Sequence, residues 1–146
     1  MPTTVDFYLV SEPLISEAYR FVCRLVDKAY TQKCCVYVHA NSPEEAKTLD
    51  DLLWTFRDDA FIPHELFEKN PPSPNVPIQI GYKTVPESDQ NILVNLTEQV
   101  PEFFQQFKRV LEIVPNNDAA KKISRNKFRT YREKNCEMTT HNLVDA

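Results

Sequence analysis

Residues 33–40 read KCCVYVHA, a continuous apolar strand rich in β-branched and aromatic side chains. Such a run suits a sheet covered on both faces, where neither side of the strand needs to be polar. Upstream, Leu14, Ala18, Phe21, Val22, Leu25, Val26 and Ala29 recur at helical spacing, and VDFYLV (5–10) reads as another strand. Downstream, NSPEEAKTLDDLLWTF (41–56) opens a helix. Ser42 supplies the N-cap, Pro43 the first helical position, and Glu45 follows three residues after the cap. This helix is expected to end near Trp54–Phe56. Strand, helix, strand, helix in that order predicts an α/β fold with a parallel sheet core.

The rest of the chain extends the pattern. Residues 57–76 read as a long loop holding FIPH (61–64) and leading into PPSPNVP (71–77), the kind of segment that is often functional. Strands are expected over IQIGY (78–82), NILVNL (91–96) and KRVLEIV (108–114). Between the last two, TEQVPEFFQQF reads as a short helix capped by Thr97, with Phe103, Phe104 and Phe107 facing inward. Pro115 ends the following strand, and Asn117 or Asp118 caps a final helix. Beyond Cys136 little pattern remains, and residues 136–146 are expected to fray. With no internal repeat and no linker, residues 1–146 read as one domain.

Composition narrows the function. Hydrophobic residues make up 42% of the chain, which is incompatible with a disordered protein. Gly81 is the only glycine. Dinucleotide-binding turns, phosphate-cradling P-loops and the nucleophile elbow of hydrolases each need several glycines, so all three are excluded. Cys23, Cys34, Cys35 and Cys136 form no C-x-x-C, and His39, His64 and His141 show no metal-ligand spacing. The reading is four reduced thiols in a cytoplasmic protein, with no metal and no cofactor. The N-terminus lacks the features of a signal peptide, and no apolar run approaches the roughly 20 residues of a membrane span.

Charge is distributed unevenly. Residues 1–120 carry 10 Lys and Arg against 18 Asp and Glu, whereas residues 121–146 carry 7 against 3. The basic stretch KKISRNKFRTYREK (121–134) aligns Arg125, Phe128, Arg129 and Arg132 at i, i+3, i+4 and i+7, on a single helix face. Guanidinium forks suit carboxylate or phosphate, and a ring set among them can take an apolar group. An acidic peptide tail or a nucleic-acid strand would both fit. Lys121, Lys122, Lys127 and Lys134 read as solvated surface, and Phe128 is either part of the binding face or a core anchor with Ile123 and Tyr131. Trp54 and Phe61 are either core or a protein-binding patch. His64, near Glu65 and Glu68, reads as a structural histidine rather than a general base, because it has no paired nucleophile.

These landmarks together resemble the chi subunit family of bacterial DNA polymerase III. The resemblance is carried by FYL (7–9), DDLLWTF (50–56), FIPH (61–64), PIQI (77–80), NILVNL (91–96) and EIVPNND (112–118) followed by the basic helix. It covers about residues 5–135. It implies a Rossmann-like open sheet of mostly parallel strands flanked by helices, with no nucleotide site and no catalytic activity. It also implies an adaptor of the clamp loader that joins the psi subunit to the acidic C-terminal tail of single-stranded DNA-binding protein, and reaches DNA only through that protein. By family position Arg125, Phe128, Arg129 and Arg132 fall on the tail site, with Lys121 and Val114 at its edge. Trp54 and Phe61 fall on the psi interface, which a helicase-like repair protein shares in some bacteria. Phe128 stands where the family often has tyrosine, and Arg129 where it has lysine. The alternative is a module that binds single-stranded nucleic acid directly through the basic helix.

Overall fold

The computed structural model describes residues 3–55, 64–67, 77–82 and 90–143. Seven strands and three α-helices make up this part: β1 (Thr4–Leu9), α1 (Tyr19–Thr31), β2 (Val36–Ala40), α2 (Pro43–Thr55), β3 (His64–Phe67), β4 (Ile78–Tyr82), β5 (Gln90–Asn95), β6 (Phe107–Val114), α3 (Asp118–Glu133) and β7 (Glu137–Asn142). The strands form one sheet in the order β3-β4-β2-β5-β6-β1-β7, and every neighbouring pair is parallel. The Rossmann-like α/β reading is therefore correct.

The pleat sorts side chains onto two faces. Val36, Val38, Ile78, Ile80, Ile92, Val94, Leu111 and Ile113 pack with α1 and α2. Val5, Phe7, Tyr37, Leu93, Val110 and Val114 form a second core with Tyr131 of α3. All five residues of β2 are buried, as a strand covered on both sides requires. The helix caps follow the sequence. Ser42 Oγ accepts from Glu45 N at 3.1 Å, and Glu45 reaches back to Asn41 N at 2.8 Å. Tyr19 then ties α1 to α2, its hydroxyl donating to Glu45 Oε2 at 2.5 Å.

Three expectations need correction. Residues 57–76 are not all loop, because His64–Phe67 forms β3 at one edge of the sheet. Residues 97–107 form no α-helix. A single 3-10 turn spans Phe104–Gln106, and Phe107 already begins β6. Thr97 is not a cap there; its hydroxyl bonds Asn95 Oδ1 at 2.7 Å. Pro101 stands at the start of that turn, its carbonyl accepting from Phe104 N at 3.2 Å, and β6 begins too soon after it for an α-helix to form.

The third correction concerns the tail. Residues 137–142 do not fray but form β7, paired with β1 at the other edge. The turn that delivers β7 is built at the end of α3. Asn135 has φ 63°, a left-handed value that asparagine tolerates better than most residues. Asn135 N donates to Arg132 O at 3.0 Å and Cys136 N to Tyr131 O at 3.1 Å. Those two bonds form the Schellman closure of a helix C-terminus.

Candidate functional site: a basic pocket at the sheet edge

The pocket depends on where α3 begins. Asn117 has extended backbone angles, and its Oδ1 accepts from Ala120 N at 2.8 Å, so it is the N-cap. Its Nδ2 donates to Pro13 O at 2.6 Å, which fastens the helix start to the segment after β1. Asp118 in the first turn and Arg132 in the last complement the helix dipole.

From that anchor α3 runs along β6, β1 and β7. A pocket of about 280 Å³ opens between helix and sheet. Its apolar walls are Phe7 and Leu9 of β1, Val114 of β6 and Phe128 of α3, and Thr140 of β7 closes the edge side. Lys121 and Arg125 bring the positive charge. Phe128 is 37% exposed and leans on Phe7, with ring centroids 5.8 Å apart. It is thus both a core contact and a surface group.

Four of the six residues expected at the tail site, Val114, Lys121, Arg125 and Phe128, therefore meet at one pocket. Arg129 and Arg132 are exposed on α3 but do not line it. Trp54 is 53% exposed at the end of α2. Phe61 lies outside the described residues. His64 begins β3, and its side chain also lies outside them. Among the described residues no group of three His, Cys, Asp or Glu side chains could hold a metal ion, and no helix is long and apolar enough to cross a membrane.

Lys127 departs from its sequence reading. It is not solvated: it is 8% exposed and pairs with Glu112 Oε1 at 2.8 Å. Glu112 Oε2 accepts from the Tyr131 hydroxyl at 2.5 Å and from Asn95 Nδ2 at 2.8 Å. Burial, together with the Glu112 charge, pushes the Tyr131 pKa up, so its hydroxyl is a donor throughout the physiological range. A signal for this exists in the sequence: Ile123, Lys127 and Tyr131 stand four residues apart, a stripe shared with two candidate core residues. This network adjoins a second cavity of about 270 Å³, lined by Glu112, Lys127 and Leu14 among others, and Leu14 is 58% exposed.

Cys23 is equally buried, and burial raises its thiol pKa to about 11. It is a packing residue of the core beneath α1 and α2.

The chain is 37% identical over 141 residues to the DNA polymerase III subunit chi of Pseudomonas aeruginosa, covering 97% of each chain. It is 26% identical over 146 residues to the subunit of the same name from Haemophilus influenzae, covering 98% of this chain and 99% of that one. For the Escherichia coli subunit the identity is 25% over 131 residues, covering 86% and 88%. Among solved structures, T4 UvsW superposes with a TM-score of 0.69 at 9% identity, over 96% of this chain and 42% of that one, a likeness of fold. The family model described as DNA polymerase III chi subunit, HolC, matches residues 1–139. With a sheet that carries no glycine-rich phosphate turn and with relatives of one name matched over most of their length, this chain belongs to the DNA polymerase III chi subunit family, and its setting is DNA replication.

Proposed function

We propose that this chain is a non-enzymatic adaptor of the clamp loader, holding the acidic C-terminal tail of single-stranded DNA-binding protein in the pocket between α3 and the sheet edge. The observation that carries this reading is the convergence of Val114, Lys121, Arg125 and Phe128 on one pocket, from two elements. The apolar walls take the terminal aromatic ring of the tail. Lys121 and Arg125 take carboxylates, and Arg129 and Arg132 extend the positive field along the helix for acidic residues further up the tail. The Trp54 end of α2, with Phe61, takes the psi subunit, an exposed tryptophan being a frequent anchor of interfaces. A helicase-like repair protein competes for that same surface. Holding two partners at once raises the effective concentration of each at the replication fork, so individually weak contacts suffice.

A titration with a fluorescent peptide copying about the last ten residues of the host's single-stranded DNA-binding protein tests the reading. Saturable binding is expected, and Arg125→Ala should weaken it by about 1–3 kcal/mol, the range for hydrogen bonds to charged groups. No binding by the wild-type chain would reject the adaptor. Retention of bare single-stranded DNA instead would favour a direct nucleic-acid contact by the same helix.

A further inference from the structure

Of the sixteen residues of α3, only Lys127 and Tyr131 are buried. Both are bonded to one carboxylate. Lys127 Nζ and the Tyr131 hydroxyl take the two oxygens of Glu112, which is itself 1% exposed within β6. Lys127 also donates to the carbonyl of Thr97, and Asn95 of β5 completes the shell around Glu112. We infer that Glu112 is a positioning residue: it fixes the rotation of α3 about its own axis, and so sets Phe128 and Arg125 over the pocket. The functional half of this inference rests on the tail-binding reading above.

The physical reason lies in what else holds the helix. Apolar burial is non-directional, and a helix resting on a sheet by such contacts alone can roll. The apolar footing of α3 is narrow, with Tyr131 fully buried and Ala120 partly buried against the second core. Hydrogen bonds, by contrast, demand distance and angle. Lys127 and Tyr131 are one turn apart on the same side of the helix, so two bonds to one carboxylate define that side. Rolling α3 by one residue, about 100°, would draw both donors away and leave the buried Glu112 with the bond from Asn95 Nδ2 but without its lysine. Phe128 is the neighbour of Lys127 in sequence, and its contact with Phe7 follows from the same orientation. A buried ion pair is weak support for stability yet can specify one arrangement among several. Here the arrangement specified is the presentation of a binding face.

The test separates orientation from stability. In Glu112→Leu/Lys127→Met/Tyr131→Phe every charge of the clamp is replaced by apolar volume, and Asn95 Nδ2 keeps its bond to Gln99 O at 3.0 Å. The melting temperature is expected to stay within about 5 °C of wild type, since apolar isosteres commonly replace buried pairs without loss. The nuclear Overhauser contact between the Phe7 and Phe128 rings should be lost. Affinity for an acidic peptide ending in a free phenylalanine carboxylate should fall about tenfold, on the scale of one charged hydrogen bond. The single variant Glu112→Gln should show the same losses with a lower melting temperature, and decides the matter if the triple variant does not fold. A folded variant of either kind that keeps the ring contact and wild-type peptide affinity overturns the inference. If the wild-type chain binds no such peptide, the tail reading fails, and the ring contact alone then decides the role of Glu112.

Discussion

The carboxylate of Asp6 accepts a hydrogen bond from Arg109 Nε at 2.6 Å, joining β1 to β6 on the face that carries α1 and α2. The other oxygen of Asp6 lies 2.9 Å from His141 Nε2 on β7, and the His141 ring stacks on Tyr8 at 4.6 Å. One side chain of β1 thus holds both of its neighbours. Asp6→Asn should destabilise the fold by about 1–3 kcal/mol, the lower end being expected because Arg109 is partly exposed to solvent. Urea unfolding measures this; an unchanged midpoint would show that the strands need no such tie.

Gly81 faces the ring of Tyr37. A Cβ there would overlap the Tyr37 hydroxyl oxygen and approach its Cε1 at 3.0 Å. Tyr37 is fully buried in β2. Gly81→Ala is expected to cost about 1–3 kcal/mol, as overpacking does. A variant as stable as wild type in thermal unfolding would mean that the ring shifts freely. The sole glycine of the chain therefore makes room for the Tyr37 ring.

His39 carries a pH dependence. Burial lowers its pKa below the ordinary 6.5, since the charged ring is poorly solvated there. The unfolded chain then binds a proton that the folded chain resists. Stability attributable to His39 is complete above the unfolded pKa and is lost as pH falls through the folded one. Unfolding free energy should therefore drop more steeply below about pH 6.5 in wild type than in His39→Gln. Parallel curves for the two proteins down to about pH 5 would exclude His39 as the source.

Binding of an acidic tail to the α3 pocket should weaken as salt rises. Lys121, Arg125, Arg129 and Arg132 are all exposed, and interactions among exposed charges are screened within about 10 Å at 0.1 M salt. Titrations at low and high ionic strength check this. An affinity independent of salt would assign the binding to the apolar walls alone.

Much of the fold is legible in the amino-acid sequence, for identifiable reasons. β1 and β2 are short apolar runs and α1 and α2 bury apolar residues at helical spacing, so run, period and caps announce them. The strands at the two edges of the sheet, β3 and β7, are not announced in this way. β7 reads EMTTHN and none of its residues is fully buried, so it has neither an apolar run nor a clean alternation. Its only local herald is Asn135, whose left-handed turn becomes meaningful once the helix before it is known. The arginines and Phe128 are legible from helical spacing, and Val114 and Lys121 from the family resemblance. Lys127 is misread because a lysine is assumed to seek water, and the partner that holds it inside lies fifteen residues earlier, on a strand. Spacing along a helix gives its faces, but which face turns inward depends on what waits on the sheet.

The pairing of β1 carries a consequence for how the protein is made. Its residues are matched with 109–114 and with 137–142, so β1 leaves the ribosome long before either neighbour and waits unpaired until both have emerged. The pocket is drawn from the same distant parts, from Phe7 to Thr140. A chain cut before β7 lacks Thr140 and so cannot complete the pocket. The pocket is therefore complete only once β7 is in place.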